Sequence, residues 1–329
     1  MRCVCLSLAR RMNTHMAPEQ RRTNRLLINW LPVWLLLPAL LVVAAIQLYP
    51  AIYTVVLSFQ QLEPGTGRQL FAGVNNFSRL FGSVAFIRSL VHTAVFLLGY
   101  VALTLGASFG IALLLKQRVR LTPLYITLLF IPWVISDVVA GVVWRLFVVP
   151  DYGLFAPFFA NPALFGEPNG ISVLTSVPPN QIDPRLPLPP APALLFLVVA
   201  AVWKILPFTT LLILGALQTV SQEVQESAKI DGASSWQSLR YITLPLIRPM
   251  LAITLFYLIL GGINGVGMVF SLTGGGPGTA TELISYLLYS IGFSKLDFGL
   301  AGALSVFIAL LNFGLISLTL KLSAAYEDE

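Results

Sequence analysis

Two single charges sit inside long apolar runs: Asp137 in WVISDVVAGVVWRLF and Lys204 in VVAAVWKILPF. Placing such a charge at the centre of a membrane helix costs about 2.5–3.5 kcal/mol, so each must face protein or water. Two arrangements meet that demand. The charges pair with one another or with neighbours and lock two helices together, or they line a route for a polar solute. A proton relay needs a longer chain of acids than one aspartate and one lysine provide. Asn264 in GGINGVG poses the same choice, between packing through small residues and contact with a solute, and Tyr257 is a further candidate for such a route.

Reactive chemistry is scarce elsewhere. The sequence has no GxxxxGK[ST] phosphate loop, and the glycine run TGGGPG at 273–278 has no lysine, so it reads as a turn. His15 and His92 lie far apart, with no carboxylate or cysteine beside either to complete a metal site. No GxSxG elbow accompanies the many serines. Cys3 and Cys5 both fall in the N-terminal tail and make neither a disulfide framework nor a zinc site. These absences disfavour an enzyme or a self-powered pump.

Composition explains where the groups must be held. The chain has 329 residues, 57% hydrophobic and 10% charged. Soluble domains carry about 25% charged residues, so much of this surface must face lipid. The net charge of +6 does not point to nucleic acid, because the charges form short clusters between apolar runs and not one basic face.

A helix needs about 20 apolar residues to cross the hydrocarbon layer. Runs at approximately 31–59, 89–115, 124–149, 193–217, 250–272 and 298–320 meet that length, which gives an all-α polytopic protein with six spans. Thirteen lysines and arginines then fall in the two tails and the even-numbered loops, against five on the other side. That bias puts both termini in the cytoplasm. The basic tail 1–30, the loop 218–249 and the short tail 323–329 are therefore expected on the cytoplasmic side of a six-helix domain covering 31–322. Residues 1–25 are no signal peptide by pattern, and Met12 and Met16 are alternative starts. The largest outer loop, 150–192, contains eleven prolines and reads as extended chain. The outer interval 63–88 has room for a short interfacial helix.

The loop between the fourth and fifth spans is the most structured of the connections. QTVSQEVQESAKIDG reads as a short helix, with Thr219 and Gln222 as a capping box and Glu223 and Glu226 near the positive end of the dipole. Asp231-Gly232 supplies its stop. Ser234 with Gln237 caps a second helix, WQSLRYITL, expected to end at Pro245. Two short helices at a glycine bend make a knob whose Val224, Ala228, Ile230, Ala233 and Trp236 offer apolar contact, ringed by charge. Such a surface suits docking to another protein.

The spacing Glu226-Ser227-Ala228, three residues, Gly232, nine residues, Ile242-Thr243-Leu244-Pro245 resembles the EAA motif of binding-protein-dependent ABC importer permeases. Ser227, at the central alanine of the motif, is its one departure. VNNFSRLF with FIRSLVHTAVFLL, and FSLTGGGPGTATELISYLLY, are similar to the outer segments of the larger maltose-type sugar permease subunit. The resemblance covers most of 31–322 and is weakest in the proline-rich loop.

The resemblance implies a permease of the bacterial or archaeal inner membrane that is not itself an enzyme and binds no cofactor. It would pair with a second, homologous permease. Two ATP-binding cassette subunits using ATP and magnesium would grip the knobs, and an extracytoplasmic binding protein would deliver a sugar of the di- or oligosaccharide class. Coupling would then fall to Glu226, Ser227, Ala228, Asp231, Gly232, Ile242, Leu244 and Pro245. The solute pathway would draw on Asn264, Tyr257 and Asp137. The alternative reading is a stand-alone secondary transporter or channel for a small polar solute, and a membrane-embedded enzyme is the third.

Overall fold

The computed structural model describes residues 35–62, 69–117, 122–149, 152–154, 157 and 192–324. Both tails and nearly all of the proline-rich outer loop lie outside them. Among the described residues, five helices are long and apolar enough to cross a bilayer, and a bent pair, taken as one span, makes a sixth. The chain divides into two units at residues 57 and 58.

The first unit contains all but the last residue of α1, Leu35–Ser58, whose apolar side chains are exposed along its length. The helix widens into a π-turn at Ala44–Leu48, where the Tyr49 amide donates to Ala44 O. Pro50 follows directly. A proline has no amide to give the preceding turn, and one wide turn ahead of it lets the helix continue.

The second unit begins with a short antiparallel ladder, β1 (Gln60–Leu62) with β2 (Gln69–Phe71), which pairs Gln60 with Phe71. Then come α2 (Asn75–Phe81), α3 (Val84–Lys116), α4 (Thr122–Val134), α5 (Asp137–Phe147), α6 (Pro192–Thr219) and α7 (Gln222–Ile230). They are followed by α8 (Ser235–Asn264), α9 (Gly267–Leu272), α10 (Ile284–Ser294) and α11 (Phe298–Ala324). The short helix expected in the outer interval 63–88 is α2.

Three differences from the sequence expectations matter. The run 124–149 is not one helix, because the axis turns by 95° between Val134 and Asp137. Pro132 weakens the end of α4, and Ser136 starts a new helix by accepting the Val139 amide at 3.3 Å. The run 250–272 also divides. Its helix starts earlier, at Ser235, ends at Asn264, and restarts as α9 after Gly265. Pro245 does not end a helix, since a π-turn at Leu239–Thr243 lets the Leu244 amide reach Leu239 O and carries the chain past the proline, as before Pro50.

Close approach of α3 and α6 forms the central seam. Gly99 lets Val198 approach, with a Cβ there placed 3.5 Å from the Val198 side chain, and Ser108 Oγ donates to Leu206 O at 3.3 Å. Such small-residue contacts are how helices associate where lipid removes the hydrophobic drive. Phe96, Tyr100, Leu197, Leu258, Val269 and Leu272 join α3, α6, α8 and α9 in one core. A second core gathers Leu80, Phe86, Ile284, Leu287 and Leu304, sealed by edge-to-face contacts of Phe81, Phe86 and Phe307.

The end of this unit that carries the ladder hangs on one side chain. Asn76 is fully buried, and its amide donates to Ser58 O at 3.0 Å and Gln60 O at 2.8 Å, closing the bend into the ladder. Gly299 on α11 packs against the same knot, where a Cβ would collide with Gln60 O and lie 2.8 Å from Asn76 Nδ2. Asn76→Ala removes the donor shared by the Ser58 and Gln60 carbonyls, at about 0.5–1.5 kcal/mol for each hydrogen bond lost. The variant should show a clear drop in thermal midpoint in detergent, whereas Arg79→Ala, which breaks the half-exposed 2.8 Å pair with Asp297 and a long 3.4 Å hydrogen bond to Asn76 Oδ1, should shift it less.

Candidate functional site

Two places carry the groups singled out by sequence. The first is the knob. Ser221, and not Thr219, caps α7: Ser221 Oγ accepts the Val224 amide at 3.4 Å, while Thr219 Oγ1 donates back to Ala216 O at 2.8 Å inside α6. Helix α6 runs two residues too far for Thr219 to serve. At the other end, Gly232 adopts φ +79°. Its amide donates to Lys229 O at 3.1 Å and the Ala233 amide to Ala228 O at 2.9 Å, the paired bonds of a Schellman stop. The Ser234–Gln237 capping box is reciprocal: Gln237 N donates to Ser234 Oγ at 3.3 Å and Ser234 N to Gln237 Oε1 at 2.8 Å. Both ends of the bend are therefore saturated with hydrogen bonds.

Burial sorts the EAA residues into two groups. Ala228 is buried, and Ile242 and Leu244 are partly so; they hold the knob to the helices. Ala228 therefore does not belong to the outward apolar contact expected from sequence. Glu226, Ser227, Asp231, Gly232 and Pro245 are exposed. The exposed apolar groups are Val224, Ile230 at 85%, Trp236 and Tyr241, with the Arg240 guanidinium 5.9 Å over the Tyr241 ring. Glu226 is steadied by Gln222, whose amide donates to Glu226 Oε1 at 2.7 Å.

The second place is where the two interrupted helices meet. Discontinuous helices in membrane transporters bring helix ends and side chains to a solute site within the bilayer. Here the start of α5 packs on α9 through glycines. A Cβ on Gly267 would lie 2.9 Å from Asp137 Cβ, and one on Gly141 would collide with Ser271 Oγ. Asp137 is thus not mid-helix but the first residue of α5, where the helix dipole favours its charge. Lys204, in the middle of α6, reaches it with Nζ 2.8 Å from Oδ1.

The pair opens onto a cavity of about 200 Å³ lined also by Phe96, Tyr100, Trp133, Tyr257, Gly261 and Gly262. The two readings of the charges therefore coexist: they are paired, and they face a cavity. Trp133 stacks on Phe208 at 5.2 Å, and Phe208 touches Tyr257 at 5.0 Å, so three aromatic rings brace one wall.

Asn264 is not in this group. It lines a separate cavity of about 360 Å³ with Ser285, Tyr289, Phe293 and Asn312. Its amide donates to Leu260 O at 2.8 Å, and Asn312 Nδ2 donates to its oxygen at 3.3 Å. The structure brings together Asp137 and Tyr257 of the expected pathway residues and sets Asn264 apart. Tyr100 and Trp133 escape a sequence reading because aromatic residues fill so many core positions. Gly261 and Gly262 carry a signal only in hindsight of the cavity.

The run TGGGPG is the expected turn. Gly274, Gly275 and Gly278 all have positive φ, and Thr281 Oγ1 donates to Gly276 O at 2.8 Å. The Arg88 guanidinium donates to Thr279 Oγ1 at 2.9 Å.

The family described as binding-protein-dependent transport system inner membrane component matches residues 102–326. The chain is 30% identical over 286 residues to the trehalose/maltose transport system permease protein MalF of Thermococcus litoralis, covering 86% of this chain and 91% of that one. It is 31% identical over 291 residues to the sn-glycerol-3-phosphate transport system permease protein UgpA of Yersinia pseudotuberculosis, covering 87% and 92%. In fold it is similar to a chain of a bacterial ABC transporter involved in the import of the acidic polysaccharide alginate, with a TM-score of 0.73, 23% identity, and coverage of 93% and 99%.

One group near the turn makes stability depend on pH. Burial pushes the Glu282 carboxyl above its usual range, against the attraction of Lys295 and Arg88. A folded pKa above the unfolded one means stability that is present at low pH and lost as pH rises through the folded value. Glu282→Gln should therefore raise the thermal midpoint at pH 7, with the gain vanishing below the ordinary carboxylate range.

Proposed function

Because the chain belongs to the family of binding-protein-dependent transport system inner membrane components, we infer that it forms half of the solute path in an ATP-driven sugar importer. It is a multi-pass membrane protein and a permease, with no catalytic role and no cofactor of its own. Its partners would be a second homologous permease, two ATP-binding cassette subunits that consume ATP and magnesium, and an extracytoplasmic sugar-binding protein. A di- or oligosaccharide cargo is supported by the trehalose/maltose relative and by the hydroxyl-bearing, aromatic-walled cavity.

The observation that carries the coupling role is the knob. Its bend is held by a Schellman stop on one side and a reciprocal capping box on the other, and its outer face presents Glu226, Ser227, Ile230 and Trp236 to whatever lies beyond. A saturated turn moves as one piece. With both termini in the cytoplasm, as the distribution of Lys and Arg favours, the knob faces the compartment where ATPases reside. ATP-driven closure of those subunits would displace it and tilt α8. Tyr257 and Gly261 lie on that helix, so the cavity would feel the movement. The pairing of Asp137 with Lys204 counts against a proton-driven carrier, since the acid already has a fixed counter-ion.

Two substitutions test this. A Cβ at Gly232 meets nothing within 4 Å, so its cost is only the left-handed backbone, about 1–2 kcal/mol and less for Asp. Gly232→Asp should leave the complex assembled in the membrane while ATP hydrolysis no longer drives uptake; undiminished sugar uptake would refute the coupling role. Gly261 also faces open space and lines the cavity. Gly261→Leu should therefore keep normal protein levels and cut sugar uptake at least tenfold, measured with labelled sugar in cells expressing the whole transporter.

A further inference from the structure

Resting on the reading of the cavity as a sugar site, we infer that the Asp137–Lys204 pair makes it selective for an uncharged sugar ring, with Lys204 as a specificity-determining residue. Among the described residues, Asp137 and Lys204 are the only charged side chains lining the cavity, and they cancel. The distance of 2.8 Å leaves no room for an anion between them. The lysine is 15% exposed and spent on Asp137 Oδ1, whereas the aspartate is 51% exposed, lines the cavity and keeps a second carboxylate oxygen outside that contact. An incoming carboxylate or phosphate thus meets the negative member first. It must displace a competitor that is tethered in place at the start of α5, where Ser136 caps the helix.

A hydroxyl meets the opposite situation. The free carboxylate oxygen accepts it through a charge-assisted hydrogen bond, the stronger kind. The tyrosine hydroxyls of Tyr100 and Tyr257 can donate or accept. Aromatic walls suit the C–H face of a ring. An apolar cavity of about 150 Å³ takes a benzene molecule, so about 200 Å³ accommodates one six-membered ring with its substituents.

Charge selectivity is not fixed by the fold. One similar permease is named for glycerol phosphate and one similar structure for an acidic polysaccharide. A residue-level device must therefore set it in each chain. Buried charge pairs resist loss of one partner far more than loss of both, so the pair can be probed by removing either one charge or two.

The test uses the purified complex of this chain with its permease and ATPase partners in nanodiscs, without the binding protein. Methyl α-D-glucoside and D-glucuronate, one ring each, are titrated while tryptophan fluorescence is followed. The unmodified complex should bind the glucoside at least tenfold more tightly. Asp137→Asn frees the lysine and should reverse the preference, with glucuronate affinity falling as salt rises. The double variant Asp137→Asn with Lys204→Met keeps the volume without charge, and should bring the two affinities within about threefold even where the single variant assembles poorly. Equal affinities in the unmodified complex, no glucoside binding, or an unchanged ratio in the double variant would each overturn the inference. Sugar uptake by the same unmodified complex with its binding protein separates the two levels: uptake with an unchanged ratio sinks the charge device alone, and no sugar uptake sinks the underlying reading.

Discussion

A charge among apolar helices has to be answered where it stands, and Asp137 and Lys204 answer each other at 2.8 Å. That requirement organises the centre of the molecule. Lys204 sits on an unbroken helix with no freedom to move toward solvent, so the acid has to be brought to it. The 95° turn between α4 and α5 does so, placing Asp137 at a helix start where the backbone dipole favours its charge. The turn in turn exposes backbone that must be packed or capped, which explains Ser136 at the N-cap and the glycine contacts of Gly141 and Gly267 with the facing segment.

A second constraint concerns prolines in helices that have to continue. Pro50 and Pro245 each follow a π-turn by two residues, at Ala44–Leu48 and Leu239–Thr243. One extra residue in the turn absorbs the missing amide, and the helix goes on without a break. In α8 this keeps the knob and the cavity on one element.

Much of this was legible in the residues. Length and hydropathy give the apolar helices, because twenty uncharged residues have few other ways to fold. The Gly232 stop and the Ser234–Gln237 box were readable because caps are local and depend on side chains three residues apart. The interruptions were not. A break at Ile135-Ser136 competes with an unbroken apolar run, and only tertiary partners, the lysine on α6 and the glycines on α9, decide it. Pro245 misled for the same reason, since nothing in its neighbours announces a π-turn. Nor did the residues show that Asn264 lines a cavity apart from Asp137, its side-chain oxygen accepting from Asn312 forty-eight positions later in the chain.

The continuity of α8 has a mechanical consequence. Its thirty residues from Ser235 to Asn264 amount to a rod about 45 Å long. A rod has no slack: a few degrees of rotation imposed at one tip arrives at the far tip undiminished, without waiting for anything between to rearrange. Under the proposed coupling, stiffness along this single strut, rather than a relay of side chains, would carry a movement of the knob to the cavity beside Tyr257 and Gly261.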